Sequence, residues 1–226
     1  MEKIINLGAV AHQLRTPLNG ILGFAHLLAE SYRDLSDTEK LEYINIIMQS
    51  GEKLLTLLDE LMEMETLSSS PAVTLSPVNI HHEVQRAISS TMYQIVVKSL
   101  TVEEEETDVI INSNAGMINF ILSNLITNAV KFSYHDNKIL VSTETTTLDG
   151  EPCLQISVSD NGRGMSKELI DKLFVEIVTK PGVDEEHGNG IGLINCMHLI
   201  KKLGGKIWVE SEEGKGSKFT FSIPFP

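Results

Sequence analysis

The sequence predicts an α+β chain in two parts. An N-terminal helical hairpin pairs with a second copy into a dimeric four-helix bundle, and a two-layer α/β sandwich follows. Three observations carry this. Between residues 4 and 28, Ile4, Leu7, Ala11, Leu14, Leu18, Ile21, Ala25 and Leu28 recur at alternating steps of three and four, a heptad seam. The polar, proline-bearing stretch "SSSPAVTLSP" at 68–77 then ends the helical pattern. Beyond it, helical periods and two-residue alternation are interspersed to the C-terminus.

Taken in order, the first helix holds one anomaly. Pro17 lies inside it and has no N–H for the carbonyl of Gln13, directly after His12. After "SYRDLSDTEK" a second apolar run, from Leu41, Ile44, Ile47 and Met48 to Leu61, Met62 and Leu67, makes a stripe wider than a two-helix seam needs; Ser36 or Asp37 can cap it. Helices of about 30 residues are roughly 45 Å long and cannot bury such stripes against one another alone, so a homodimer is expected. Residues 69–77 read as a linker between a domain at 1–68 and one at 78–226. The second domain is read as a helix near 80–97, strands at "LTVEEEE" and "DVIIN", a helix over 114–132, strands at "KILVSTETT" and "CLQISVSD", a helix closed by Gly204 and Gly205, and strands at "KIWVES" and "KFTFSIP". Together these imply one sheet with helices on a single face.

Composition narrows the partners. Of 226 residues, 42% are apolar, enough for packed cores, and 18 basic against 31 acidic side chains leave a net charge of −13. That balance argues against sequence-independent nucleic-acid binding, so any polyphosphate must be held locally. Cys153 and Cys196 match no metal spacing and suit a reduced, cytoplasmic setting. No apolar run reaches membrane-span length and no secretory pattern opens the chain, so direct membrane contact is not expected of this segment, although a membrane sensor can precede it in a longer parent.

Three stretches of the second domain carry chemistry. "NLITNAVKFS" sets Asn124 and Asn128 four apart on one helix face with Lys131 beyond; a carboxamide oxygen suits Mg²⁺, and the ammonium suits phosphate. A surface helix with two amides is the plain alternative. "SVSDNGRGM" puts Asp160 at a strand end, where it can accept from an adenine amine, with Gly162 and Gly164 admitting a close ligand; an ordinary Asn-Gly turn looks the same. "HGNGIGL" places Gly188, Gly190 and Gly192 before a helix whose N-terminus suits an anion. The intervening "MSKELIDKLFVEIVTKPGVDEEH" ends in a polar segment of a length that suits a lid.

In order and spacing, "HQLRTPLNGI", "NLITNAVKFS", "DNGRGM", "LFVEI" and "GNGIGL" resemble the H, N, G1, F and G2 boxes of bacterial sensor histidine kinases. The resemblance covers essentially the whole chain and implies a dimerisation and phosphotransfer bundle followed by an ATP-binding domain of the Bergerat (GHKL) type. It implies that His12 takes the γ-phosphoryl group of ATP and passes it to an aspartate on a response-regulator receiver domain. Asn128 becomes the Mg²⁺ ligand, while Asn124 and Lys131 contact nucleotide phosphates. Asp160 reads adenine, Gly162 and Gly164 make room for it, Phe132 packs beside it, and Gly188, Gly190 and Gly192 shape the lid hinge and phosphate loop. Thr16, one turn after His12, is placed for dephosphorylating the receiver. His26, His81, His82, His135, His187 and His198 carry no ligand spacing.

The sequence departs from the family at two places. Where Glu or Asp usually follows the phosphoacceptor stands Gln13, which can orient the imidazole but cannot take its proton at neutral pH. Autophosphorylation is therefore expected to be slow or absent, by about 10²- to 10⁴-fold if that proton transfer is general-base catalysis, with ATP binding intact. A dimeric pseudokinase that binds ATP and a receiver is the alternative; a chaperone or topoisomerase ATPase is disfavoured by "HQLRTP". The F box keeps Phe174 but has Ile177 where a second phenylalanine is frequent.

Overall fold

The computed structural model describes residues 7–68, 73–105, 108–174, 178, 180–184, 186 and 190–225. The chain divides into two compact units, Met1–Thr66 and Leu67–Pro226.

The first unit consists of α1 (Leu7–Ser31) and the start and body of α2 (Asp37–Ser68). Pro17 does not end α1, which continues for 14 residues beyond it. Helix α2 begins with a capping box: the Glu39 N–H donates to Ser36 Oγ at 3.3 Å, and the Ser36 N–H donates to the Glu39 carboxylate at 2.8 Å. Ser36 is thus the cap, and its hydroxyl, donating to the Glu39 carboxylate at 2.6 Å, and its N–H together lower the pKa of the exposed Glu39. The helices run antiparallel, with Phe24 and Tyr43 edge-to-face at 5.2 Å between ring centroids and Gly20 against Ser50. Much of the apolar stripe on α2 stays exposed in the single chain, Leu41 at 59%, Met48 at 57%, Leu55 at 62% and Met62 at 67% among it.

The second unit opens with β1 (Ser76–Asn79), whose first two residues fall in the stretch read as linker, and α3 (Ile80–Ser90), capped where the Asn79 side chain accepts from the His82 N–H at 2.9 Å. The single helix expected over 80–97 is broken: α3 closes at Thr91 and a short α4 (Met92–Val97) follows. Next come β2 (Thr101–Glu104), β3 (Ile110–Ser113), α5 (Ala115–Phe132), β4 (Lys138–Leu148), β5 (Glu151–Asp160), α6 (Lys167–Ile170), α7 (Gly192–Lys202), β6 (Lys206–Glu212) and β7 (Gly216–Pro224). The main sheet has the order β2-β4-β5-β7-β6, with β2 parallel to β4 and the remaining pairs antiparallel. The strands are not all in one sheet: β3 leaves it and pairs antiparallel with β1.

Helices α3, α5 and α7 lie side by side, α5 over β5 and α7 over β6 and β7. Because α5 has a helix on either side and the sheet beneath, its buried arc is wide, including Met117, Ile118, Ile121, Leu122, Leu125, Ile126 and Ala129. Across from it the pleat of β5 presents Leu154, Ile156 and Val158, all buried, with Phe219, Phe221 and Ile223 beside them on β7. Each such side chain contributes about 1.5–3 kcal/mol. This core fixes the C-terminal ends of α5 and β5 against one another.

Candidate functional site

In the first unit, His12 and Thr16 are exposed on α1 and Gln13 is half-buried. The Thr16 hydroxyl donates to the His12 carbonyl oxygen at 3.2 Å, a bond back along the helix one turn before Pro17 removes the donor for the Gln13 carbonyl. The imidazole is therefore presented to solvent from a helix that persists through the proline.

The second unit gathers most of the expected nucleotide residues at the ends of α5 and β5. Asp160 terminates β5, between Ile139 of β4 and Ser217 of β7, and is only 6% exposed. Burial raises its pKa to about 6, opposed by hydrogen bonds from the backbone N–H groups of Gly162, at 2.8 Å to Oδ1, and of Ser217. Gly162 is wedged under the carbonyl of Phe132, where a side chain would overlap backbone, and the next N–H, of Arg163, donates to that carbonyl at 3.2 Å. The Phe132 ring thus sits beside the Asp160 turn, with the Arg163 guanidinium 4.8 Å and the Lys131 ammonium 4.9 Å from its centroid. Gly164 has φ +62° and lies against the Glu212 carbonyl of β6, so neither its conformation nor its surroundings admit a side chain.

Asn124 and Asn128 are half-buried one turn apart on α5. Asn124 spends its amide on the Phe120 carbonyl at 3.0 Å, which leaves Oδ1 facing Gly192, where a Cβ would strike it. Gly190, with φ +69°, and Ile191 lead into α7, to whose N-terminus the Ile191 side chain gives no hydrogen bond, and a helix end of this kind suits an anion. Asp160, Gly162 and Phe132 are thus brought together, as are Asn124 and Gly192. Gly164 packs on β6, and Gly188 and Ile177 lie outside the described residues. Phe174 is half-buried.

Two contributors were not anticipated. Arg163 was visible within "DNGRGM" but not singled out. Lys98, in the apolar stretch "IVVKSL", is a buried ammonium that donates to the Val130 and Lys131 carbonyls at 3.1 and 3.2 Å, at the end of α5.

Residues 114–226 match the family described as histidine kinase-, DNA gyrase B-, and HSP90-like ATPase, and residues 6–70 match the His Kinase A (phospho-acceptor) domain. Among curated relatives, sensor protein GacS of Pseudomonas syringae pv. syringae is 29% identical over 97% of this chain and 25% of its own length. Hybrid signal transduction histidine kinase B of Dictyostelium discoideum is 30% identical over 98% of this chain and 11% of its own length. The chain therefore spans a quarter or less of these two relatives. Among solved structures, histidine kinase ThkA in complex with response regulator protein TrrA is 26% identical with a TM-score of 0.72, covering 97% of this chain and 61% of that one. Full-length ShkA in complex with AMPPNP is 25% identical with a TM-score of 0.64, over 97% of this chain and 45% of that one.

Proposed function

The chain belongs to the histidine kinases, a phospho-acceptor domain followed by an ATPase domain of the gyrase B and HSP90 kind, and on that premise we propose that it moves the γ-phosphoryl group of ATP to His12 and then to a receiver aspartate. The observation that carries the proposal is the buried Asp160 carboxylate, held by two backbone donors in a turn packed on the Phe132 carbonyl at the end of α5. A buried acceptor of this kind recognises an adenine amine, Phe132 packs on the ring, and Lys131 with the N-terminus of α7 receives phosphate oxygens.

In the first step an imidazole nitrogen of His12 attacks the γ-phosphorus in line; a P–N bond forms, the bond to the β-phosphate oxygen breaks and ADP leaves. In the second, the P–N bond breaks as the receiver carboxylate takes the phosphoryl group. The imidazole proton needs an acceptor, and Gln13 cannot be one, so it passes to solvent and the first step is slow. Thr16 orients a water for the reverse task, dephosphorylation of the receiver. The Asn128 carboxamide would be the protein ligand of a Mg²⁺ ion held together with the phosphates of ATP. When bound there, Mg²⁺ neutralises phosphate charge.

The exposed stripe of α2 is read as the seam of a homodimer. Sedimentation velocity is expected to show a dimer, and Leu55→Glu combined with Leu58→Glu is expected to yield monomers; a wild-type monomer contradicts the seam. No helix among the described residues is long and apolar enough to cross a membrane, and the segment is read as working in the cytoplasm. The kinase reading is tested by incubating the protein with γ-labelled ATP and Mg²⁺. Slow, acid-labile labelling lost in His12→Ala and accelerated in Gln13→Glu supports it; label that persists in His12→Ala overturns it. Gln13 also favours a second reading, a pseudokinase scaffold, which is the outcome if both forms bind Mg·ATP, neither is labelled and a phosphorylated receiver is left unchanged.

A further inference from the structure

Lys98 is far more buried than a lysine ordinarily is, its side chain 4% exposed, and the residues around its ammonium come from two different parts of the chain. From the end of α5 come three carbonyl oxygens, those of Val130, Lys131 and Ser133, at 3.1, 3.2 and 3.5 Å. From the segment between Phe174 and Gly190 come two carboxylates, Glu186 at 2.5 Å and Asp184 at 3.5 Å. That segment is tied to the same place by backbone: the Val183 N–H donates to the Lys131 carbonyl at 3.1 Å, and Gly182, whose own N–H reaches the Glu186 carbonyl at 2.8 Å, lies so close to Lys131 that a side chain has no room. His135, on the turn after α5, reaches the Asp184 carboxylate at 3.0 Å.

A buried ammonium left without its carboxylates is strongly unfavourable, and the C-terminal end of a helix favours a cation. Both groups of partners therefore depend on the one ammonium. The Lys131 carbonyl takes both the Lys98 ammonium and the Val183 N–H, and Phe132 lies between it and Ser133, whose carbonyl also faces Lys98; the side chains of Lys131 and Phe132 are the ones assigned to phosphate and adenine. We propose that Lys98, Asp184 and Glu186 form a clasp that fixes the Gly182–Val183 turn on the end of α5 and so positions Lys131 and Phe132 for the nucleotide. Lys98 is a positioning residue, and its effect on the nucleotide rests on the ATP-binding reading above.

The test compares the wild-type chain with Asp184→Asn/Glu186→Gln, which keeps shape and removes both charges, and with Lys98→Met and Lys98→Arg. Amide hydrogen exchange is followed at Val183 and in β5, and Mg·ATP affinity by calorimetry. The double variant is expected to speed exchange at Val183 by at least about tenfold while β5 stays protected, and to weaken Mg·ATP by about tenfold or more. Lys98→Met repeats this pattern, and Lys98→Arg restores part of the affinity. Unchanged exchange at Val183, equal acceleration in β5, or fast exchange at Val183 with wild-type affinity each overturn the clasp. A wild-type chain that takes up no Mg·ATP overturns the kinase reading instead, and exchange at Val183 then decides the clasp alone.

Discussion

At the scale of single residues, Asp160 is a carboxylate held buried at a cost in stability, a cost that recognition of adenine would explain. Its pKa is raised from 3.8 to about 6 by burial, so between those values the folded chain holds a proton that the unfolded chain has released. Stability from this group therefore falls as pH rises from about 4 through 6, by up to about 3 kcal/mol over the whole window. Asp160→Asn, which keeps an oxygen for the Gly162 and Ser217 donors, is expected to raise the stability of the nucleotide-free protein at pH 7 by about 1–3 kcal/mol. It should also flatten its pH dependence between about 4 and 6, as read by urea unfolding. A variant as unstable as wild type at pH 7 contradicts this account of the carboxylate. The place of Asp160 at a strand end with Gly162 in the turn beyond it was readable from the sequence, because the alternation of "CLQISVSD" stops at the acid and the glycine follows two residues on. Lys98 was not readable: nothing in "IVVKSL" states that the ammonium folds beneath the end of a helix 32 residues away.

Among the elements, long periodic stretches were recovered, and of the short ones β2 and β3 lie where strands were expected while β1 and the break after α3 were not foreseen. Helices α1, α2 and α5 follow from their spacing, and β4, β5 and β7 from alternation. The β1–β3 ribbon has four residues a strand, and Pro77 made its first strand look like linker. Its register, with Val78 opposite Ile111, is set by two buried side chains far apart in sequence. The break at Thr91 is equally tertiary, since Thr91 is buried with its hydroxyl on the Ala87 carbonyl at 3.2 Å. At the start of α2 the sequence left Ser36 and Asp37 open, and the reciprocal bonds of Ser36 and Glu39 resolve the choice. Ser36→Ala is expected to cost the hairpin about 1 kcal/mol, seen as a lower unfolding midpoint of residues 1–68, whereas Asp37→Ala should cost less. The reverse order removes the capping box.

For the whole molecule, a net charge of −13 leaves a polyanion to be bound by local means. Under the proposed function those means are Lys131, Arg163, the asparagines of α5 and the N-terminus of α7. Family membership was within reach of the sequence because five short motifs in order constrain it far more than any one does. The slow first step expected from Gln13 remains a proposal that rests on one side chain's inability to accept a proton, and the comparison with Gln13→Glu tests it. The central claim is that Asp160 and its neighbours seat an adenine nucleotide. Calorimetric titration of the intact chain with ATP, with and without Mg²⁺, tests it most directly. One site per chain, requiring Mg²⁺ for full affinity and weakened by about 10- to 100-fold in Asp160→Asn, is the expected result; no uptake, or uptake indifferent to Asp160, contradicts it.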